Sequence, residues 1–337
     1  MYQITDNRTS RIEWIDLSKG FCIILVVLFH ACKMTSMTYP LWVQTSSFRM
    51  PLYFILSGLF FKRYESFNGF LKRKTNKLLI PFLFFLLFTS VLPFALKNNS
   101  SSLPVLFKYR EIIYNLPIWF LLCLFEINLL FYLIHLIIDS FFTKHTKEKT
   151  ALTIGISVIL GFGGMYLGYI DIKLPLYLDT SLSALPFFVF GWWLNRKTSF
   201  LKSPSRPLDM LIIVGCIIIV CLFAVPVEWM ENMYSLKSIW AAYPCGISGT
   251  LMILLIAKLF NHLPLISFWG RYSIIILCTH YPIGIVTVNF LQKYYTGIPL
   301  LLITMLISIT VCHFLIFIMK KYFPHVTAQK DLIPIDS

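Results

Sequence analysis

The chain has 337 residues, of which 58% are hydrophobic, 17% aromatic and only 13% charged. A water-soluble domain carries about 25% charged residues. A soluble fold of this size could not cover so much apolar surface, so lipid is expected to solvate much of it. The net charge of +14 then bears on membrane orientation, and no nucleic-acid partner is expected. The eight cysteines all sit in or beside apolar runs and form no CxxC pair. That pattern points away from a disulfide framework or a zinc site, and no metal is expected.

Spans need about 20 mostly apolar residues. In chain order the apolar runs fall at 14–37, 41–61, 78–96, 115–138, 151–170, 181–195, 208–226, 239–260, 272–291 and 297–319. Runs such as Ile80–Leu92 and Met210–Val225 are continuously apolar, whereas barrel strands would alternate. The expected fold is therefore all-α and polytopic. It has about ten transmembrane helices in one bundle, and residues 1–337 form one integral-membrane domain. The first run lacks a small-residue cleavage site and follows Glu13 and Asp16, so it reads as a retained span and not a signal peptide.

With the N-terminus placed in the cytoplasm, 21 of the 29 Lys and Arg fall in inside segments. The positive-inside rule then predicts a multi-pass protein with both termini cytoplasmic. Gly161, Gly164 and Gly168 in the fifth run would allow close helix approach.

Ionisable residues within spans are costly and mark candidate sites. The first run holds Arg11, Glu13, Asp16, Lys19 and His30 at or within it. Lys19 and His30 are eleven residues apart, within about 20° of whole helical turns, with a rise of about 16 Å. They share one stripe, with the acid Asp16 beside the cation. A neutral imidazole at His30 suits a general base, and a core histidine bonded to a neighbouring helix would leave the same pattern. Arg73, Lys74 and Lys77 cluster where the third run enters the membrane. They suit either phosphate binding or anchoring to lipid headgroups. Glu126 lies in the middle of the fourth run, placed to orient a histidine, to pair with a cation, or to serve structure alone. His280 in the ninth run is either a second polar site group or a core residue.

At these residues the sequence resembles the type-3 membrane acyltransferases, bacterial enzymes that O-acylate surface sugars. Trp14-Ile-Asp16-Leu-Ser-Lys19-Gly20, followed by His30, is similar to the family's first-helix signature of a basic residue, ten intervening residues and a histidine. Phe48-Arg-Met-Pro51-Leu-Tyr-Phe-Ile-Leu-Ser57-Gly58 resembles its second-helix motif. Lys74-Thr-Asn-Lys77 before Leu-Leu-Ile-Pro81 resembles its basic pair. Trp119-Phe-Leu, Leu185-Pro-Phe-Phe with Phe190-Gly191, and Trp269-Gly-Arg-Tyr-Ser273 with His280 are further echoes. Arg49 stands where many relatives have histidine, and the basic pair is lysine where many have arginine.

The resemblance implies an acyl-CoA donor, acetyl-CoA in the simplest case, and a sugar or glycolipid acceptor at a bacterial cytoplasmic (inner) membrane among its lipids. His30 would be the catalytic base, and Asp16 and Glu126, singled out by their places in the spans, are candidate acids of the site. Lys19, Arg11, Arg73, Lys74 and Lys77 would hold the CoA phosphates. The competing class is a transporter or flippase of a lipid-linked sugar, which would show interrupted helices repeated in both halves. No convincing repeat of that kind is visible.

Overall fold

A computed structural model describes residues 12–64, 66–91, 115–141, 146–197 and 207–335. Its described residues are all helical apart from connections and one isolated bridge between Glu228 and Met233. The helices are α1 (Glu13–Met34), α2 (Trp42–Leu59), α3 (Phe67–Lys74), α4 (Ile80–Leu86), α5 (Trp119–Phe141), α6 (Thr146–Tyr169), α7 (Leu178–Lys197), α8 (Pro207–Phe223), α9 (Leu236–Phe260), α10 (Pro264–Arg271), α11 (Ser273–Leu291) and α12 (Gly297–Tyr322). The chain is an all-α, multi-pass membrane protein, and its described residues form twelve α-helices where the sequence shows ten runs.

Two differences account for the count. The third run is one stretch that begins earlier, at Phe67, and passes from α3 to α4 through a π-helical turn at Thr75–Leu79. The helix α10 lies between two runs; at eight residues it is too short to register as a span. Six of the described helical stretches are long and apolar enough to cross a membrane, and α8 is apolar but shorter. The helices α2 and α7 fall outside that set because they are inner helices. Leu52, Phe54 and Ile55 of α2, and Leu185, Phe187 and Phe188 of α7, are fully buried by protein. A helix surrounded by protein can carry more polar residues than one facing lipid. The converse holds for α8 and α12, where Leu211, Leu222, Leu306 and Phe314 are well exposed.

Contacts along α1 and α2 fix their direction. The Cys22 thiol donates to the Arg49 carbonyl at 2.8 Å, and the Tyr53 hydroxyl to the Lys19 carbonyl at 3.2 Å. One partner number rises as the other falls, so the two helices are antiparallel. Paired glycines set the tightest crossings. A Cβ on Gly58 would lie 1.8 Å from the Phe188 carbonyl oxygen, and one on Gly191 would lie 1.9 Å from that of Ile55, so α2 and α7 meet backbone to backbone. Gly20 and Gly270 do the same for α1 and α10, at 2.1 Å from the Ile266 oxygen and 1.7 Å from the Asp16 oxygen. Gly161, Gly164 and Gly168 of α6 are likewise closely opposed, by Pro186 and Tyr243, by Ser183, and by Asn232.

Overpacking of a filled crossing costs about 1–3 kcal/mol. Gly58→Val and Gly270→Val should therefore lower the thermal midpoint of the detergent-solubilised protein. Gly155→Ala, where nothing lies within 4 Å of the new methyl, should leave it unchanged. A thermal series read by the fraction that remains monodisperse checks this, and equal midpoints for all three would contradict these crossings.

Candidate active site

The C-terminal half of α1 carries His30, and α11 runs beside it. The imidazole centroid of His30 is 5.3 Å from that of His280 and 5.2 Å from the Tyr281 ring. Neither His30 ring nitrogen has a hydrogen-bond partner among the described residues. His280 is 2% exposed, and its Nδ1 lies 2.7 Å from the Ile276 carbonyl oxygen. A carbonyl only accepts, so Nδ1 carries the proton, and Nε2 of the neutral ring is a lone-pair acceptor. That Nε2 is buried and has no partner.

His30 lines a cavity of about 310 Å³ together with Lys33, Arg49, Trp119, Glu228 and Tyr281. This size lies within the range of small-molecule sites. Antiparallel packing brings Arg49 to the same level as the second half of α1. Its side chain is 5% exposed, and its guanidinium carbon sits 3.3 Å from the centroid of the Phe29 ring. Phe29 is held in turn by stacking on Trp42 at 4.5 Å. Arg49 Nη1 is buried without a hydrogen-bond partner. The cavity's one carboxylate among these residues, Glu228, pairs with Lys33 at 3.0 Å, so Arg49 contributes a net positive charge to the wall.

The connection between α8 and α9 supplies Glu228, and a polar network fixes that connection. The Trp229 indole donates to the Ser46 carbonyl at 3.0 Å. The Asn232 amide donates to the Gly164 carbonyl at 3.0 Å and accepts from the Ser183 hydroxyl at 2.8 Å. Asn232 has a φ of 47°, a left-handed conformation that asparagine tolerates better than most residues. Sequence reading passed over Glu228 and Trp229 because they sit in a connection with no periodicity. Arg49 stood out only as a departure from the family motif.

The other expected site residues lie elsewhere. Asp16 is fourteen residues from His30, about 21 Å along the helix. It meets Arg271 at 3.5 Å in a cluster where Glu13 contacts Arg271 at 3.2 Å and His262 at 3.1 Å. Glu126 is buried against the start of α7. It accepts from the Ser181 hydroxyl at 2.7 Å and from the Tyr177 backbone N–H at 3.3 Å, a position that also favours a carboxylate through the helix dipole. Neither acid lines the His30 cavity. Lys19 lies toward the opposite end of α1, and Arg11 is outside the described residues.

The three basic residues near α3 face three surroundings. The Arg73 guanidinium lies 4.5 Å over Tyr64. The Lys74 ammonium is packed 5.8 Å from the Phe61 ring and 5.7 Å from Phe70, and this burial lowers its pKa to about 8. Lys77 is bound by the segment after α12, pairing with Asp331 at 3.2 Å and donating to the Ala328 carbonyl at 3.0 Å. Asn76 fastens the same segment. Its oxygen accepts from the Leu332 and Ile333 N–H groups at 3.0 and 2.8 Å, and its amide donates to the Ile333 carbonyl at 2.8 Å.

A family model described as an acyltransferase domain matches residues 12–317. No curated protein and no solved structure matches the chain.

Asn76→Leu removes three hydrogen bonds at a buried position, each worth about 0.5–1.5 kcal/mol. Hydrogen exchange at residues 328–333 should accelerate in this variant while exchange within α1 and α2 stays the same. Equal protection of that segment in both proteins would show that Asn76 does not hold it.

Proposed function

Since the chain belongs to the type-3 acyltransferase family, we propose that it moves an acetyl or other short acyl group from acyl-CoA to a hydroxyl of a cell-surface or lipid-linked sugar, with His30 as general base. The observation that carries this reading is the His30 imidazole, without a hydrogen-bond partner among the described residues, on the wall of a cavity that also holds a buried arginine whose Nη1 is unpartnered. An imidazole committed to structure would normally spend at least one nitrogen on a neighbouring group, as His280 does.

In this mechanism the acceptor hydroxyl enters the cavity and gives its proton to His30 as its oxygen attacks the thioester carbonyl carbon. A carbon–oxygen bond forms, and the carbonyl π electrons move onto oxygen. The Arg49 guanidinium supplies a fixed positive charge and a free donor for that oxyanion, whose stabilisation is commonly the largest single contribution to acyl transfer. Collapse of the intermediate breaks the carbon–sulfur bond. The CoA thiolate leaves and takes the proton back from the His30 imidazolium. Asp16 and Glu126 then serve by bracing α1 and α7. The donor would be drawn from the cytoplasm, the side on which the positive-inside rule predicts the start of α1 and the α3 entrance. Arg73 and Lys74 at that entrance would meet its phosphates, with Lys19 further along. Lys77 would join them only after release from Asp331.

His30→Ala should reduce acyl transfer by about 10²–10⁴-fold per folded molecule while acetyl-CoA affinity changes little. Transfer of labelled acetyl groups to a panel of sugars, read beside CoA binding, separates the roles. A stability loss with normal turnover would make His30 structural.

A second outcome concerns pH. Lys74 is cationic below its lowered pKa of about 8 and neutral above it, so CoA affinity should fall as pH rises from 7 to 9. Lys74→Arg, which stays charged throughout, should flatten that dependence. The same slope in both proteins would remove Lys74 from the donor site.

A further inference from the structure

A second cavity, of about 330 Å³, lies away from the first. The helix α5 spans the gap between them. Trp119 lines the His30 cavity and His135 lines the second, and sixteen residues of helix separate them by about 24 Å. Among the described residues, Arg63, Lys149 and Arg196 bring three cations to its wall against a single carboxylate, Asp139. Both oxygens of Asp139 are taken: Oδ1 pairs with Lys149 at 2.6 Å and Oδ2 with the Arg63 guanidinium. Arg196 has no carboxylate partner among the described residues, and its guanidinium carbon lies 4.8 Å over the Trp192 ring. The imidazole of His135 is 5.1 Å from the same ring, and its Nε2 is buried without a hydrogen-bond partner.

The described residues of the wall thus carry a surplus of two positive charges and an unused buried nitrogen. Like charges gathered in a concave site repel one another unless a ligand supplies the counter-charge. A carboxylate would neutralise half the surplus. A phosphate monoester carries about −1.5 to −2 charge at pH 7, and its oxygens match the planar forks of arginine.

We propose that this cavity is a binding site for a phosphate monoester, with Arg196 and Arg63 as the forks and Lys149 as a point charge. It is separate from the lysines of α3, none of which lines it. Lys74 packs behind the wall, 5.8 Å from the ring of the lining residue Phe61. The inference does not depend on the role of His30. Two sources carry the required chemistry: the ribose 3′-phosphate of CoA, and a monoester lipid headgroup such as that of phosphatidic acid.

Arg196→Gln tests the proposal with the least risk to folding, because the Asp139 pairs stay in place. The full chain in detergent would be titrated with CoA and with dephospho-CoA. In parallel, nanodiscs containing phosphatidic acid or phosphatidylglycerol would be analysed for lipid retained by the protein. If the source is CoA, wild type binds CoA about tenfold or more tightly than dephospho-CoA, and Arg196→Gln removes that difference. If the source is lipid, wild type retains phosphatidic acid over phosphatidylglycerol, and Arg196→Gln loses the preference. In either case Arg196→Lys recovers part of it, and Gly155→Ala, which fills open space away from both cavities, leaves it intact. The proposal is overturned if wild type shows neither preference, or if Arg196→Gln leaves both unchanged while its thermal midpoint matches wild type.

Discussion

How closely α2 approaches α7, and α1 approaches α10, governs the rest of the bundle. Backbone lies on backbone at Gly58 with Gly191 and at Gly20 with Gly270. In lipid there is little hydrophobic drive between apolar helices, so close packing of this kind supplies much of their association. With α1 and α2 held antiparallel, Arg49 reaches the level of His30, and with α7 drawn in, Ser181 can meet Glu126. The site is therefore a by-product of small residues that touch no substrate.

Polar groups inside the bundle divide into two kinds. Glu126, Asn232 and Asp16 spend their capacity on neighbouring elements, and each fastens a junction that hydrophobic contact alone would leave loose. His30, Arg49 Nη1, His280 Nε2 and His135 Nε2 keep capacity in hand. An unsatisfied buried group costs about 1–3 kcal/mol, a cost native proteins bear chiefly where a ligand or reaction will use the group. His30 and Arg49 line one cavity, His280 lies against His30, and His135 borders the other cavity.

The helical class, the apolar runs and the stripe shared by Lys19 and His30 were legible because each rests on local periodicity. The helices α2 and α7 face protein, so their composition is under no demand from lipid. What sequence hides is pairing at a distance. That Asp16 answers Arg271, 255 positions later, leaves no trace in either segment. The α8–α9 connection looked like ordinary loop, although it brings Glu228 to the cavity. The helix α10, with Trp269-Gly-Arg, was visible as a motif but too short to register as an element.

The clasp at Asn76 carries a consequence for biosynthesis. Its partners, Leu332 and Ile333, are made only after every described helix has been synthesised. Until then the amide of Asn76, which is fully buried in the finished fold, has no such partners, and Lys77 faces no Asp331. A nascent or prematurely terminated chain would thus present an unfastened polar notch at the α3 entrance. Quality-control proteases that recognise exposed polar groups near the bilayer could tell such a chain from a finished one.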